Sequence, residues 1–287
     1  MPDRIEVLKT YKTYIGGKFP RSESDRTYAV TDLKGNLIAN ACRCTRKDVR
    51  DAVVSARSSF DGWLSRSAYN RGQIIYRIAE ILEGRKNQFI AELEHAGFKT
   101  KNSVKEVETA IDRLIYYAGW TDKLSQVFGT VNPVASSHFN FSVPEPMGIV
   151  GIIAPDETPF LSLVSLVAPI IAGGNTCVIL ASEKNPLPAV SFAEVLHASD
   201  VPSGIVNLLT GYRDEMVDSL TSHMDVNAIL NGLTDKKIMK LTDENASINI
   251  KRVYHYSAEN WLDNIHESPY IIQQFLEIKT TWHPVSV

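Results

Sequence analysis

The residues best able to do chemistry are three thiols and one acidic loop. Cys42, Cys44 and Cys177 are the full set of cysteines. A thiol attacks a carbonyl or binds a metal only as the thiolate, and an apolar setting suppresses ionisation. Cys177 stands inside the apolar run Thr176-Cys-Val-Ile-Leu180, where a free cysteine serves as a small hydrophobe. Cys42 and Cys44 are two apart on an expected strand, so their side chains share one face. A metal there needs at least two further ligands at suitable spacing, and the 7 histidines are scattered. No metal site is expected. The acidic pair Asp156-Glu157 follows the apolar Ile149-Val-Gly-Ile-Ile153 and lies between Pro155 and Pro159. That is the carboxyl end of a strand, where open α/β sheets place ligand chemistry. The pair reads as a solvated loop, or as two carboxylates that hold a cation or a partner's arginine.

The elements that must position these residues follow from periodicity. Tyr14-Ile-Gly-Gly-Lys-Phe19 reads as strand, turn and return strand. Residues 28–39 read as a second hairpin turning at Lys34-Gly35-Asn36. Thr45, with Asp48 three residues on, marks a helix start near the capping-box spacing. Helices are expected over 46–60, 68–95 and 100–124; Ile74, Ile75, Ile78, Ile81 and Leu82 have helical spacing. Phe139, Phe141 and Val143 alternate with Asn140 and Ser142, which is strand periodicity. Strands at 149–153, 175–181, 205–209 and 226–230 then alternate with helices at 161–172, 188–198 and 214–222. Such alternation predicts an α/β fold with a doubly wound parallel sheet. A short helix is expected over 269–274 and an alternating strand over 275–282.

Composition limits the functions available. The 287 residues allow one large domain or two modest ones, and the hydrophobic content of 44% suits a globular chain. Net charge is −3, and lysine and arginine are dispersed. Neither a nucleic-acid nor a membrane partner is expected. Sparse cysteine fits a reducing compartment. Residues 1–7 are too charged for a signal peptide, so a cytoplasmic location is expected. The longest apolar stretch, Phe160 to Gly173, is interrupted by Ser162, Ser165 and Pro169 and is too short to span a bilayer.

Several segments resemble the aldehyde dehydrogenase superfamily. Glu145-Pro-Met-Gly-Ile-Val-Gly-Ile-Ile-Ala-Pro155 is similar to the family's E-P-x-G-V-x-G-x-I-x-P approach to the active site. Pro169 to Glu183 resembles A-P-A-L-A-A-G-N-T-V-V-L-K-P-S-E. Val201 to Gly211 resembles L-P-P-G-V-V-N-V-V-T-G, and His223-Met-Asp-Val-Asn-Ala-Ile-Leu resembles H-P-D-V-x-x-I-x-F. After Val253 the likeness lapses, then returns at Phe275-Leu-Glu-Ile-Lys-Thr-Thr-Trp282, which looks like the strand family members lend to a neighbouring subunit. The resemblance is nearest to the degenerate C-terminal half of the tandem-domain, type-sixteen members. Those also read P-D-E in the loop and end on K-x-x-W-x-P, matched by Lys279, Trp282 and Pro284. It implies a Rossmann-like cofactor-type domain over 12–126 and 147–265. It also implies a small β oligomerisation element over 127–146 and 275–287, with the catalytic domain missing.

The same resemblance places the family's working residues on altered positions. The oxyanion-donating Asn falls on Glu157, which only accepts hydrogen bonds. The general base falls on Tyr256, a poor base at neutral pH. No cysteine follows Cys177, and Cys42 and Cys44 are implied to lie far from the active site. The ribose-contacting Lys falls on Leu180, while Glu183 survives. The pyrophosphate segment G-S-T-E-V-G falls on Gly232 to Lys237: Gly232 and Thr234 remain, but Lys237 replaces the second glycine, so that Lys236 and Lys237 could attract phosphate by charge alone. No catalytic residue is therefore expected, and Glu183, Gly232 and Thr234 are a vestigial cofactor set. No cofactor is expected; weak binding of NAD or NADP is the alternative. The expected function is that of a catalytically inactive homologue acting as a structural or regulatory subunit. It would associate with itself or with a full-length aldehyde dehydrogenase. Two alternatives stay open: a subunit of an NAD(P)-dependent aldehyde dehydrogenase completed in trans, and a nucleotide-sensing module.

Overall fold

The computed structural model describes residues 9–285. The N-terminal heptad read for targeting and the last two residues of the expected tail lie outside the described residues. Strands β1 (Thr10–Tyr11), β2 (Thr27–Thr31) and β3 (Leu37–Cys42) form a small sheet in the order β1-β3-β2. β2 and β3 are antiparallel, and their connection holds Gly35 at φ 82, as the hairpin pattern predicts. The first expected hairpin is corrected. Gly16 and Gly17 do make a tight turn, both at positive φ, with Ile15 and Lys18 exchanging backbone hydrogen bonds. No strands extend from it. Tyr14 is diverted to Leu208, with which it exchanges backbone bonds of 2.9 and 2.7 Å.

Helices α1 (Arg46–Leu64), α2 (Ala68–His95), α3 (Thr100–Ala118) and α4 (Leu124–Phe128) follow. Thr45 caps α1: its Oγ1 accepts from the Lys47 amide, and Asp48 accepts from the Thr45 amide at 2.8 Å. α3 stops six residues short of expectation, because Gly119 begins a run of turns. Strands β4 (Thr130–Asn132) and β5 (His138–Pro146) come next.

The apolar runs then build the main sheet. It contains β6 (Ile149–Ile153), β7 (Thr176–Leu180), β8 (Val206–Leu209), β9 (Ala228–Asn231) and β10 (Arg252–His255). All pairs are parallel, in the order β10-β9-β6-β7-β8. β6 and β7 are wholly buried, as runs covered on both faces must be. The crossovers are α5 (Leu161–Ala172), α6 (Leu187–His197), α7 (Arg213–Ser222) and α8 (Lys236–Asn249). A short segment with α9 (Pro269–Gln273) leads to β11 (Leu276–Pro284). No second α/β domain stands between β10 and β11.

β11 pairs with β5 in a third sheet, ordered β11-β5-β4. Here the alternation is inverted relative to an ordinary core strand. Asn140 and Ser142 are the buried residues, while Phe139 is 46% exposed. Asn132 explains this: its amide donates to Asn140 Oδ1 at 2.6 Å and Ser142 Oγ at 2.9 Å, so these two polar residues of the middle strand are covered by side chains of their own sheet.

Candidate functional site

Strands β6, β7 and β8 run outward in one direction from β6, and β9 and β10 in the other. Chain order reverses between β6 and β9, and a crevice outside the carboxyl ends at such a point is where ligands sit in this architecture. The loops that leave those ends carry Asp156 and Glu157 after β6, Glu183 after β7, Gly232 and Thr234 after β9, and Tyr256 after β10. The sequence-derived candidates thus share one edge of one sheet. At the reversal the backbone of β9's end lies close against β6. The Gly232 amide donates to Ile153 O at 2.9 Å. A Cβ on Gly232 would stand 2.9 Å from Pro155 Cδ and 3.0 Å from Leu166 Cδ1, so only glycine fits there.

The acidic loop is not a solvated pair. Asp156 takes both guanidinium nitrogens of Arg213, at 2.8 and 2.7 Å, and also accepts from Ser182 Oγ at 2.7 Å and the Glu183 amide at 3.0 Å. Arg213 is 8% exposed and donates as well to Ala154 O at 2.9 Å. Partial burial alone would raise the Asp156 carboxyl. The hydrogen bonds and charge of Arg213, with Ser182 and the Lys184 amide, outweigh it and hold the group down to about 2. The expected partner arginine is therefore the chain's own. Only Glu157 remains exposed at the loop tip, with Thr158 beside it at φ 43.

A helix N-terminus offers bare amides and a partial positive charge, which suits phosphate. Three of the four helix starts on this edge are filled by carboxylates of the chain itself. Glu106, reaching from α3, accepts from the Phe160 and Leu161 amides at 2.9 and 3.1 Å, at the start of α5. Glu183 accepts from the Arg213 amide at 3.0 Å, at the start of α7. Asp235 accepts from the Lys237 and Ile238 amides at 2.8 and 3.1 Å, at the start of α8. Glu106 is 2% exposed; burial pushes its carboxyl up to about 6 despite the two amides. Thr234 is exposed beside Asp235.

Tyr256 is held away from any base role. Its hydroxyl shares a hydrogen bond with His266 Nδ1 at 2.5 Å, its ring stacks on Tyr254 at 5.7 Å, and burial pushes the phenol up to about 12. The segment after it is pinned from α3. Arg113, wholly buried, donates to Ser165 Oγ, Trp261 O and Asp263 O. Tyr117 donates to His266 O at 3.1 Å.

The thiols are all free and buried. Cys177 is in the core, and burial drives its thiol far above the ordinary range. Cys44 sits at the outer edge of the main sheet: its amide donates to Thr210 O at 2.9 Å, just beyond β8. Its sulfur is nonetheless 0% exposed, and burial raises it well above its usual value. Among the described residues no three His, Cys, Asp or Glu side chains gather as a metal site.

Arg213, Glu106, Asp235 and Arg113 shape this edge of the sheet, and the sequence patterns do not mark them. One signal is present: a cation as the first residue of a helix opposes the dipole, so Arg213 needs a carboxylate partner.

A parallel, doubly wound sheet with its candidate residues along the carboxyl edge defines a Rossmann-like α/β protein. Residues 19–255 match the model of the aldehyde dehydrogenase family, and the chain belongs to that family. It is 31% identical over 252 residues to a putative aldehyde dehydrogenase, DhaS, of Bacillus subtilis, covering 85% of this chain and 50% of the relative. It is 30% identical over 259 residues to omega-crystallin of Enteroctopus dofleini, covering 88% and 51%. Among solved structures, PnpE in complex with nicotinamide adenine dinucleotide superposes with a TM-score of 0.81 at 27% identity, covering 85% of this chain and 50% of that one. The NAD+ complex of an aldehyde dehydrogenase from Bacillus cereus gives 0.81 at 24% identity, a likeness of fold, covering 87% and 51%. The chain spans about half the length of these relatives.

Proposed function

We propose that this chain is a non-catalytic aldehyde dehydrogenase homologue whose task is assembly, as a structural or regulatory subunit. The carrying observation is the filled crevice. A dinucleotide's pyrophosphate needs bare amides and positive charge, yet Glu183 and Asp235 already occupy two helix starts and Glu106 a third. Arg213, the buried cation of the edge, is taken by Asp156. At the crevice only the exposed Lys236 and Lys237 at the start of α8 leave positive charge for a phosphate, so binding of NAD or NADP is expected to be weak at most, and no step is derived through either. Aldehyde capture by sulfur also lacks support, since all three thiols are buried.

The surface that remains for a task is the third sheet. Val131, Phe139, Ile278 and Trp282 are 69, 46, 53 and 58% exposed, and β11 offers a free edge. Val131 and Phe139 lie on one face and Ile278 and Trp282 on the other, so both faces beside the open edge carry exposed apolar side chains, and an open edge is a template for another chain. A cytoplasmic setting accords with three unpaired cysteines. Among the described residues no helix is long and apolar enough to cross a membrane.

The test is an aldehyde oxidation assay with NAD and NADP, on the isolated chain and on a mixture with a full-length aldehyde dehydrogenase. No turnover by the isolated chain is expected. Dinucleotide-dependent turnover by that chain alone sinks the reading.

A further inference from the structure

The outer seam between α1 and α7 holds a groove of about 540 Å³, within the size range of small-ligand sites. The two helices run side by side in one direction, and the seam is pinned at both ends. Arg43, just before α1, binds Glu215 in the first turn of α7. Further along, Arg57 donates to Asp225 O at 2.5 Å and to Asn227 Oδ1 at 3.1 Å, just past the end of α7. The walls are therefore set without a ligand. Helical spacing gives them their chemistry. Arg46 and Arg50, four apart, share one face of α1, and Ser219 and His223, four apart, share one face of α7. All four line the groove.

These side chains are donors in need of an acceptor. Among the described residues Arg46 enters no ion pair, because Glu215 pairs with Arg26 and Arg43, and Glu23 with Lys47. Arg50 meets only its neighbour Asp51, at 3.5 Å with side chains 63 and 49% exposed, a contact that holds little. Ser222 directs its hydroxyl to Asp218 O at 2.7 Å, but Ser219 makes no hydrogen bond among the described residues. The Asp225 amide donates to His223 Nδ1 at 3.2 Å, so the neutral ring carries its proton on Nε2 and keeps a donor. The acceptors of this surface are already engaged. Glu23 accepts from Lys47 Nζ at 3.0 Å and from Thr45 Oγ1 at 3.3 Å. Asp48 is 3% exposed and accepts from Ser22 Oγ and from the Glu23 and Thr45 amides. Thr45 and Asp48 close the start of α1, so the attraction comes from side chains and not from a bare helix end.

We propose that the α1–α7 groove binds a small phosphate-bearing anion, held by Arg46 and Arg50 on one wall and by Ser219 and His223 on the other. Guanidinium groups meet phosphate oxygens with paired N–H bonds, and hydroxyl and imidazole donors complete a tetrahedral set. No aliphatic side chain and no aromatic ring other than His223 lines the groove. A nucleoside or an acyl chain has no surface there to pack on, so the ligand is compact and polar, of the inorganic phosphate, pyrophosphate or sugar phosphate kind. The groove lies along the outside of the two helices and is independent of the assembly reading.

The experiment is isothermal titration calorimetry on the whole chain with inorganic phosphate, pyrophosphate and citrate in chloride buffer, with circular dichroism to confirm folding. Saturable binding of one pyrophosphate per chain is expected, weakening as salt rises. R46Q/R50Q removes two charges from exposed positions and is expected to weaken binding by about tenfold or more. Ser219→Asp sets a carboxylate in the opposite wall and is expected to abolish it. K236Q/K237Q, at the start of α8, is expected to bind as wild type does. No heat with either phosphate or pyrophosphate overturns the inference, as does an R46Q/R50Q variant that binds like wild type. Loss of binding in K236Q/K237Q would overturn the location and move the anion to α8. Citrate bound as tightly as pyrophosphate would overturn the phosphate class. None of these results touches the non-catalytic reading, which falls only to turnover.

Discussion

Glu106 and Asp156 are carboxylates beside one crevice, and they titrate in opposite senses because only one has a cation. Asp156 binds Arg213 and is held to about 2. Its stabilisation is complete above the ordinary aspartate range and is lost as pH falls towards about 2. Glu106 has two amides but no counter-charge, and burial carries it up from 4.5 to about 6. A raised folded value means that its stabilisation is full below about 4.5 and is lost as pH rises through about 6. Glu106→Gln keeps an acceptor for the Phe160 and Leu161 amides without the buried charge. The variant is expected to gain about 1–2 kcal/mol over wild type at neutral pH, from the 1.36 kcal/mol that each unit represents, and to match it in acid. Urea titrations at both pH values decide this. A neutral-pH loss would show that the charge itself holds α5.

Elements whose partners are close in sequence, or whose faces are wholly apolar, are legible in the amino-acid pattern alone. β6, β7 and α5 are such runs. β10 and α8 are not, for a physical reason. β10 is an edge strand whose residues are only half covered, and α8 buries just Thr242 and Ala246 of its fourteen residues, so neither prints a strong apolar period. The site is legible as a place and not as a network. The loop ends follow from strand ends, but Asp156 meets Arg213 across 57 residues, and no local pattern records which charges meet. The Gly16-Gly17 turn is the converse case, a local signal that holds while its flanks are captured by β8. Gly17 lies at φ 73, and a Cβ there would stand 2.3 Å from Ser203 Oγ. Gly17→Ala is expected to cost about 1–2 kcal/mol through the left-handed backbone alone, seen as a lowered denaturation midpoint. An unchanged midpoint would mean that the turn relaxes freely.

Across the molecule, Arg113 ties the main sheet to the segment that leads to β11. It joins Ser165 on α5 to the carbonyls of Trp261 and Asp263. Arg113→Ala leaves those carbonyls unpaired and is expected to raise amide hydrogen exchange over residues 256–268 before the rest of the fold responds. Uniform exchange across the chain would instead mark a global loss. The filled helix starts also govern how this protein responds to its surroundings. A fold that keeps an open cleft borrows part of its heat resistance from whatever small molecule is in solution, by mass action. This one carries its own anions, so its melting temperature is expected to stay constant as dinucleotide is titrated from nothing to saturation. A rising curve in differential scanning fluorimetry would mean that those built-in side chains step aside for an outside guest.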